Sequence, residues 1–176
     1  MERGRWKPPG PDLAAELYGV THQVLEARGF EAYEVSNHAR GEAARSRHNL
    51  IYWRGHDYLG VGPGAHGRIT LPTGRIATRA AAGVDDYRRL VDETGHGWET
   101  REDLSSVEAA EERLLTGLRT VEGVALGDLE PLGLSGDADR LARLVDAGLL
   151  TLTAEILVAT PAGRLVLDRV TAELAA

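Results

Sequence analysis

The segment Arg47–Trp53, which reads RHNLIYW, brings an imidazole, an amide and two aromatic rings close together in the chain. In a helical turn, residues four apart share a face, so His48 lies beside Tyr52. Asn49 lies beside Trp53 on the neighbouring face. Aromatic rings next to an imidazole could hold a planar macrocycle by stacking, with His48 as an axial ligand to its iron. The alternative is that the two rings anchor a core, while the imidazole and the amide cap or cross-link loops.

A glycine-rich segment, Tyr58–Gly67, follows this motif. Tyr58–Val61 is expected to be a strand, and its exit loop is nearly bare of side chains, so backbone amides could approach a flat or phosphorylated ligand. Ligand sites of barrels lie at the C-terminal ends of strands. Pro63 and the lack of a following helix do not fit a dinucleotide fingerprint, and a tight turn at a barrel edge is the alternative. The candidate contacts in the loop are Gly62, Gly64, Ala65 and His66.

The histidine and carboxylate pattern does not predict a metal site. No two of the histidines near the motif have the helical i, i+4 spacing of a zinc site, and these are His38, His48, His56 and His66. The chain has no cysteine, so its own thiolates cannot hold an iron–sulfur cluster. Glu34 ends a predicted strand, and we expect a solvated or ion-paired carboxylate there rather than an acid or a ligand contact.

Composition narrows the class of protein. The chain has 176 residues, of which 43% are hydrophobic, which suffices for one large domain or two small ones. The net charge of -7 argues against nucleic acid as a partner. No apolar run approaches the ~20 residues of a membrane span, and no secretion signal opens the chain. Together with the absence of cysteine, this predicts a cytoplasmic protein.

The first half of the chain reads as an α/β (α+β) fold. A helix over 12–28, ended by Gly29, leads into a strand over 30–35, which is the αβ unit of a layered or barrel fold. A hairpin is expected around Pro72-Thr73-Gly74, and a short helix over 84–91. The apolar residues of the first helix recur at helical spacing, at Leu13, Leu17, Val20, Val24 and Leu25.

The second half has a different pattern. The polar segment 93–103 predicts a linker between a domain at 1–92 and another at 104–176. A helix begins at Ser105 or Ser106 and runs to about residue 120, with Glu108 placed for a capping arrangement. A second helix is expected to be capped by Asp137.

Two short strands, at 149–152 and 156–159, and a last helix that opens at Pro161 complete this half. Helix, helix, two-stranded wing and helix is a winged-helix-like pattern. The helix over 137–147 has no basic excess, which weakens a DNA-binding interpretation.

Several motifs in fixed order carry a resemblance to a known family. They are YEVSN at 33–37, RHNLIYW at 47–53, DYLGVGPGAHG at 57–67, EGV at 122–124 and LVDAGLL at 144–150. Together they resemble the late barrel and C-terminal domain of oxygen-independent coproporphyrinogen III oxidase-like radical SAM proteins, and most of all the haem chaperone branch, HemW. The resemblance covers residues 12–175.

The resemblance implies a parent with a partial (β/α) barrel, S-adenosylmethionine and a [4Fe–4S] cluster held by three cysteines. This chain has no cysteine, so we expect it to be a C-terminal segment of such a protein that is inactive alone. It could be a fragment, a truncated gene product or a separately encoded piece. His48, Asn49, Tyr52 and Trp53 match the family's haem-associated motif. Gly62, Gly64, Ala65 and His66 match its segment near S-adenosylmethionine. His38 departs from the pattern, which often has an aromatic ring there.

The expected ligand is therefore haem or a porphyrin. The missing N-terminal half, or a second copy of the chain, is an expected partner, because a truncated sheet leaves an unpaired edge. Two alternatives stay open. The parent could be a true oxidase that holds propionates with arginines such as Arg47 and Arg54, or the chain could be a winged-helix adaptor.

Overall fold

The computed structural model describes residues 8–135 and 138–176, so the predicted cap at Asp137 and most of the N-terminal lead lie outside the described residues. The chain divides into two compact units, Met1–Arg45 and Ser46–Ala176. Both mix helices with sheets, as the α/β prediction requires, and the strand pairs of the described residues are antiparallel.

The first unit contains the predicted helix and strand. Helix α1 (Pro11–Glu26) leads into strand β1 (Glu31–Glu34), which pairs with β2 (Asn37–Ala39), and a 3₁₀ turn follows at Glu42–Ala44. The apolar stripe of α1 is exposed, with Leu17 51% and Val20 55% accessible, and no residue of the helix is buried. The apolar stripe of α1 therefore does not form part of a buried core in the described residues.

The second unit opens with helix α2 (Arg47–Trp53), which was predicted. A sheet then forms in the order β3 (His66–Leu71), β4 (Gly74–Ala80), β5 (Trp98–Asp103), with helix α3 (Val84–Thr94) between the last two strands. The predicted hairpin is confirmed, because Leu71 pairs with Gly74 and leaves Pro72 and Thr73 as the turn.

Two sequence interpretations of this region differ from the structure. The segment 58–61 is not a strand, because only Tyr58 makes a bridge, to Arg68, while 59–61 is irregular. The segment 93–103 was expected to be a linker, but β5 occupies its second half and pairs with β4. Polar residues suit β5 because most of its side chains face solvent.

The rest of the second unit packs helices around a small sheet. Its helices are α4 (Ser106–Gly117), α5 (Asp139–Asp146), α6 (Pro161–Leu165) and α7 (Leu167–Ala175), with a 3₁₀ helix at Leu126–Leu132. The sheet has the order β6 (Val124–Ala125), β8 (Ile156–Ala159), β7 (Leu150–Thr153). The two predicted strands are β7 and β8, whereas β6 is too short to leave a sequence pattern. Fully buried leucines form the core here, at Leu114, Leu118, Leu129, Leu157 and Leu174.

Helix α4 begins where the sequence predicts. The Ser105 side chain accepts a hydrogen bond from the Glu108 amide at 3.2 Å, and the Glu108 carboxylate accepts from the Ser105 amide at 2.8 Å. The Glu108 carboxylate also accepts from the Ser105 hydroxyl at 2.7 Å, and the two hydrogen bonds that it accepts from Ser105 lower the pKa of Glu108. The reciprocal cap satisfies two donors that a helix start otherwise leaves unpaired.

An ion pair ties the β3–β4 hairpin to α4. Arg68 donates from Nη2 to Oε1 of Glu112 at 2.6 Å and from Nε to both carboxylate oxygens at 2.9 and 3.0 Å. The side chains are 21% and 32% exposed. Hydrogen bonding to Glu112 raises the pKa of Arg68. Two-pronged, partly buried pairs of this kind are stronger than single surface contacts.

Within the described residues, no helix combines the length and the apolar character that crossing a bilayer requires.

The core of the second unit predicts a sharp contrast within α4. Leu114→Ala should lower the free energy of unfolding by about 2–5 kcal/mol, because it leaves a cavity in a fully buried site. The neighbouring Leu115→Ala should cost less than about 1 kcal/mol, since Leu115 is 46% exposed. Urea denaturation measures both, and equal losses would contradict the assigned burial.

The Arg68–Glu112 pair predicts a measurable coupling. A double-mutant cycle with Arg68→Ala and Glu112→Ala should give about 1–3 kcal/mol, because the pair is two-pronged and partly shielded from water. The same cycle on Arg89 and Glu93, an i, i+4 pair with side chains 55% exposed, is the control and should give about 0.3–0.5 kcal/mol. Coupling energies that do not differ would show that the hairpin is not held by this pair.

Candidate functional site

The predicted motif forms a short, well-anchored helix. The Ser46 side chain caps α2 by accepting a hydrogen bond from the Asn49 amide at 3.3 Å, and Leu50 is buried on its inner face. His48 is exposed, whereas Tyr52 and Trp53 are half-buried. A capped helix fixes these side chains relative to one another better than a loop would.

All four motif residues line one cleft of about 470 Å³. Tyr58 extends the aromatic wall: the ring centroids of His48 and Tyr52 are 4.9 Å apart, and those of Tyr52 and Tyr58 are 4.5 Å apart, both edge to face. Burial raises the pKa of Tyr58, so its hydroxyl keeps its proton at neutral pH. The other lining residues come from the turn after α2, the hairpin and α4, and are Gly55, Arg68, Arg75, Ala109, Glu112, Arg113, Leu115 and Thr116.

Trp53 holds the end of α2 against α4. Its backbone oxygen accepts from Nη1 of Arg113 at 3.2 Å, and the guanidinium of Arg119 lies 5.6 Å from its ring centroid. A Cβ at Gly55 would lie 2.6 Å from Cδ of Arg113, so this close approach needs glycine. The indole Nε1 of Trp53 is buried and has no hydrogen-bond partner among the described residues.

A carboxylate braces the hairpin next to the cleft. Asp57 accepts hydrogen bonds from the Thr70 amide at 2.9 Å and the Thr70 hydroxyl at 2.8 Å, and it lies 3.3 Å from Nη1 of Arg75. The Thr70 hydrogen bonds, more than Arg75, lower the pKa of Asp57. The brace therefore stabilises the fold above the ordinary aspartate pKa, and it is lost as pH falls through the lowered value.

The glycine-rich loop uses its amides within the chain. The Gly62 amide donates to the Tyr87 hydroxyl at 3.2 Å, the Gly64 amide to the Ala81 oxygen at 2.8 Å, and the Ala65 amide to the Gly62 oxygen at 3.2 Å. These donors are therefore already engaged, which supports the interpretation of the loop as a tight turn. His66 is exposed at the start of β3, and the structure does not place it in the cleft wall.

The remaining singled-out residues lie elsewhere. Glu34 is fully buried in the first unit and accepts hydrogen bonds from Asn37 and the Ser36 amide, so the expectation of a solvated or ion-paired carboxylate was wrong. His38 lies 3.2 Å from His22, nitrogen to nitrogen, so one imidazole contacts another in the first unit. Among the described residues no cluster of three or more histidines and carboxylates could hold a metal.

Sequence reasoning missed the charged wall of the cleft. Arg68, Arg75 and Arg113 lie far from the motif in the chain, and no local pattern connects them with it. The arginines named for the oxidase alternative do not line the cleft. Arg54 instead forms a two-pronged pair with Glu122, at 2.7 and 2.8 Å. The signal that the sequence did contain for the charged wall was one basic residue in each strand of the predicted hairpin, Arg68 and Arg75.

The α5 helix of the winged-helix-like part offers little to nucleic acid. Arg140 donates to the Leu132 backbone oxygen, and Arg143 lies 3.6 Å from Glu173. Asp139 and Asp146 offset these charges, so the helix face lacks the free basic groups that attract phosphate.

Comparison with known proteins adds sequence relatives and a fold. Residues 104–166 match the family described as the HemN C-terminal domain. The chain is 39% identical over 180 residues to "Radical S-adenosyl methionine domain-containing protein 1, mitochondrial" of Bos taurus, covering 96% of this chain and 40% of the relative. It is 32% identical over 167 residues to "Heme chaperone HemW" of Escherichia coli, covering 91% and 42%.

A solved structure has a similar fold. The coproporphyrinogen III oxidase HemN from Escherichia coli, described as a radical SAM enzyme, matches with a TM-score of 0.64 and 17% sequence identity. The match covers 95% of this chain and 42% of that structure. The chain thus spans less than half the length of these similar proteins. It is related to the C-terminal portion of oxygen-independent coproporphyrinogen III oxidase-like radical SAM proteins, and its residues 104–166 are a HemN C-terminal domain.

Proposed function

We propose that this chain provides a haem-binding site of the kind a haem chaperone uses. The observation that carries the proposal is the convergence of His48, Asn49, Tyr52 and Trp53 on one cleft. Two of the similar bacterial proteins, from Escherichia coli and Bacillus subtilis, are named haem chaperone HemW. For this chain, the role of haem chaperone is part of the proposal.

The residues of the cleft fit a flat, iron-bearing cargo. The volume of about 470 Å³ lies within the range of roughly 300–1,000 Å³ that is typical of ligand sites. His48 is exposed on the cleft wall, so a ring nitrogen is available to iron. The rings of Tyr52 and Tyr58 offer apolar surface beside it. The buried Nε1 of Trp53 is a donor that a polar group of the cargo could satisfy.

The exposure of His48 suits transfer rather than permanent storage. An axial ligand at the surface lets the cargo reach a recipient protein without unfolding of the carrier. The supporting rings are only half-buried, so the site forms without opening the leucine core of the second unit. This agrees with a carrier that binds and releases its cargo.

Radical chemistry does not fit these residues. A [4Fe–4S] cluster of this family needs cysteine thiolates, and the 176 residues contain none. The Gly62, Gly64 and Ala65 amides, expected near S-adenosylmethionine, already donate within the chain. We therefore assign no catalytic step to this chain.

The cytoplasmic location of the chain stays a prediction, because the similar animal proteins are named mitochondrial.

The haem proposal predicts a His48-dependent spectrum. Titration of haem into the chain should give a Soret band of histidine-ligated iron. His48→Ala should shift that band and weaken binding on the order of tenfold, because the axial nitrogen is lost. His56→Ala is the control, since His56 is exposed but does not line the cleft. Identical spectra and affinities for the wild type and His48→Ala would remove His48 as a ligand.

The missing thiolates predict the absence of radical chemistry. After anaerobic iron–sulfur reconstitution, the chain should retain no four-iron cluster and should form no 5′-deoxyadenosine from S-adenosylmethionine. Iron and sulfide analysis and chromatography measure the two outcomes. Formation of 5′-deoxyadenosine by these residues alone would refute the assignment.

A further inference from the structure

The cleft is locally cationic on an acidic chain. The whole sequence carries a formal charge of -7. The cleft wall nevertheless contains Arg68, Arg75 and Arg113 and a single carboxylate, Glu112. Concentrating positive charge beside an apolar surface indicates a ligand that has both a hydrophobic body and anionic groups.

One of the three arginines already makes a hydrogen bond from each of its three nitrogens. Nε and Nη2 of Arg68 donate to the Glu112 carboxylate, and Nη1 donates to the Gly67 backbone oxygen at 3.0 Å. Each nitrogen of the guanidinium is therefore occupied. Arg68 and Glu112 together neutralise each other and leave the remaining positive charge of the cleft to Arg75 and Arg113.

The hydrogen bonds of the other two arginines are longer, and within the described residues they use at most two of the three nitrogens of each guanidinium. Arg75 donates from Nη1 to Asp57 at 3.3 Å and to the Thr70 hydroxyl at 3.2 Å. Arg113 donates from Nε to Asp128 at 3.3 Å and from Nη1 to the Trp53 oxygen at 3.2 Å. In the described part of the chain, Nη2 of neither arginine makes a hydrogen bond.

The carboxylates that accompany these arginines are weak competitors. The side chains of Asp57 and Asp128 are each 47% exposed, so water shields their attraction for the guanidinium groups. The arginine side chains are less exposed, at 17% for Arg75 and 23% for Arg113. Both guanidinium groups are therefore positioned, with a donor left over, and an incoming carboxylate gains a charge-assisted hydrogen bond at little cost in side-chain ordering.

We propose that Arg75 and Arg113 bind the propionate carboxylates of a tetrapyrrole whose ring lies against the aromatic wall of the cleft. This rests on the proposed function, and it defines the ligand class as porphyrins with free acid side chains. In this arrangement His48 binds the iron, whereas the two arginines bind the acid groups. Metal-free porphyrin should therefore still bind.

The experiment compares protoporphyrin IX, which contains no metal, with its dimethyl ester, by porphyrin fluorescence in the same solvent mixture. The acid should bind the wild-type chain on the order of tenfold more tightly than the ester, because the ester cannot pair with arginine. Arg75→Gln and Arg113→Gln should weaken binding of the acid towards that of the ester. Raising the salt concentration should weaken binding of the acid more than that of the ester.

Controls separate this proposal from the haem proposal. Arg89→Gln removes an exposed arginine of α3 that is outside the cleft, and should leave both affinities unchanged. His48→Ala should weaken binding of haem more than binding of the metal-free acid, because the acid carries no iron for the imidazole to ligate. Equal affinities for acid and ester, together with a His48-dependent haem spectrum, would overturn the arginine assignment alone. Failure of both porphyrins to bind would overturn both proposals. The comparison of acid with ester uses the wild-type chain, so it does not depend on the folding of any variant.

Discussion

The ion pair between Arg68 and Glu112 joins two of the elements that form the cleft, the β3–β4 hairpin and α4. It joins a strand of the hairpin to α4, across 44 positions of sequence, with three close contacts between guanidinium and carboxylate. Partial burial makes this pair costly to break, because either charge alone would be left poorly hydrated. The cleft lies where the hairpin, α2 and α4 meet, so its shape follows from this tie. The pair also neutralises the charge of Arg68, whereas Arg75 and Arg113 each keep an Nη2 group without a hydrogen bond among the described residues.

Helix α2 contributes the second constraint. A helix this short is unstable alone, so it depends on the Ser46 cap, the buried Leu50 and the contact between Arg113 and the Trp53 oxygen. None of these contacts involves the His48 side chain. The imidazole can therefore line the cleft and remain exposed while its neighbours in the helix are held in place.

Local signals explain which features the sequence could predict. The hairpin, α2 and the Ser105 cap each depend on residues within a few positions of one another, and each is confirmed. The place of the three arginines in the cleft could not be predicted, because they come from β3, β4 and α4, which meet only in the folded chain. The segment 58–61 was misread since its apolar residues suggest a strand, yet Leu59 and Val61 are 68% and 84% exposed and no partner strand lies beside them in the described residues. The aromatic half of the site was therefore accessible from sequence, whereas the charged half required the fold.

The two halves of the cleft have different physical demands, and this bears on what the chain can carry. An aromatic wall with one imidazole attracts many flat ligands, since stacking is tolerant of ring substituents. Arginines with an unused donor discriminate, because a carboxylate that pairs with them must lie at the edge of the ring rather than on its face. The engaged amides of the glycine-rich loop offer no comparable site for a phosphate or a nucleotide. In the two proposals, selectivity would therefore depend on the charged wall and iron recognition on His48, so a change in one need not change the other.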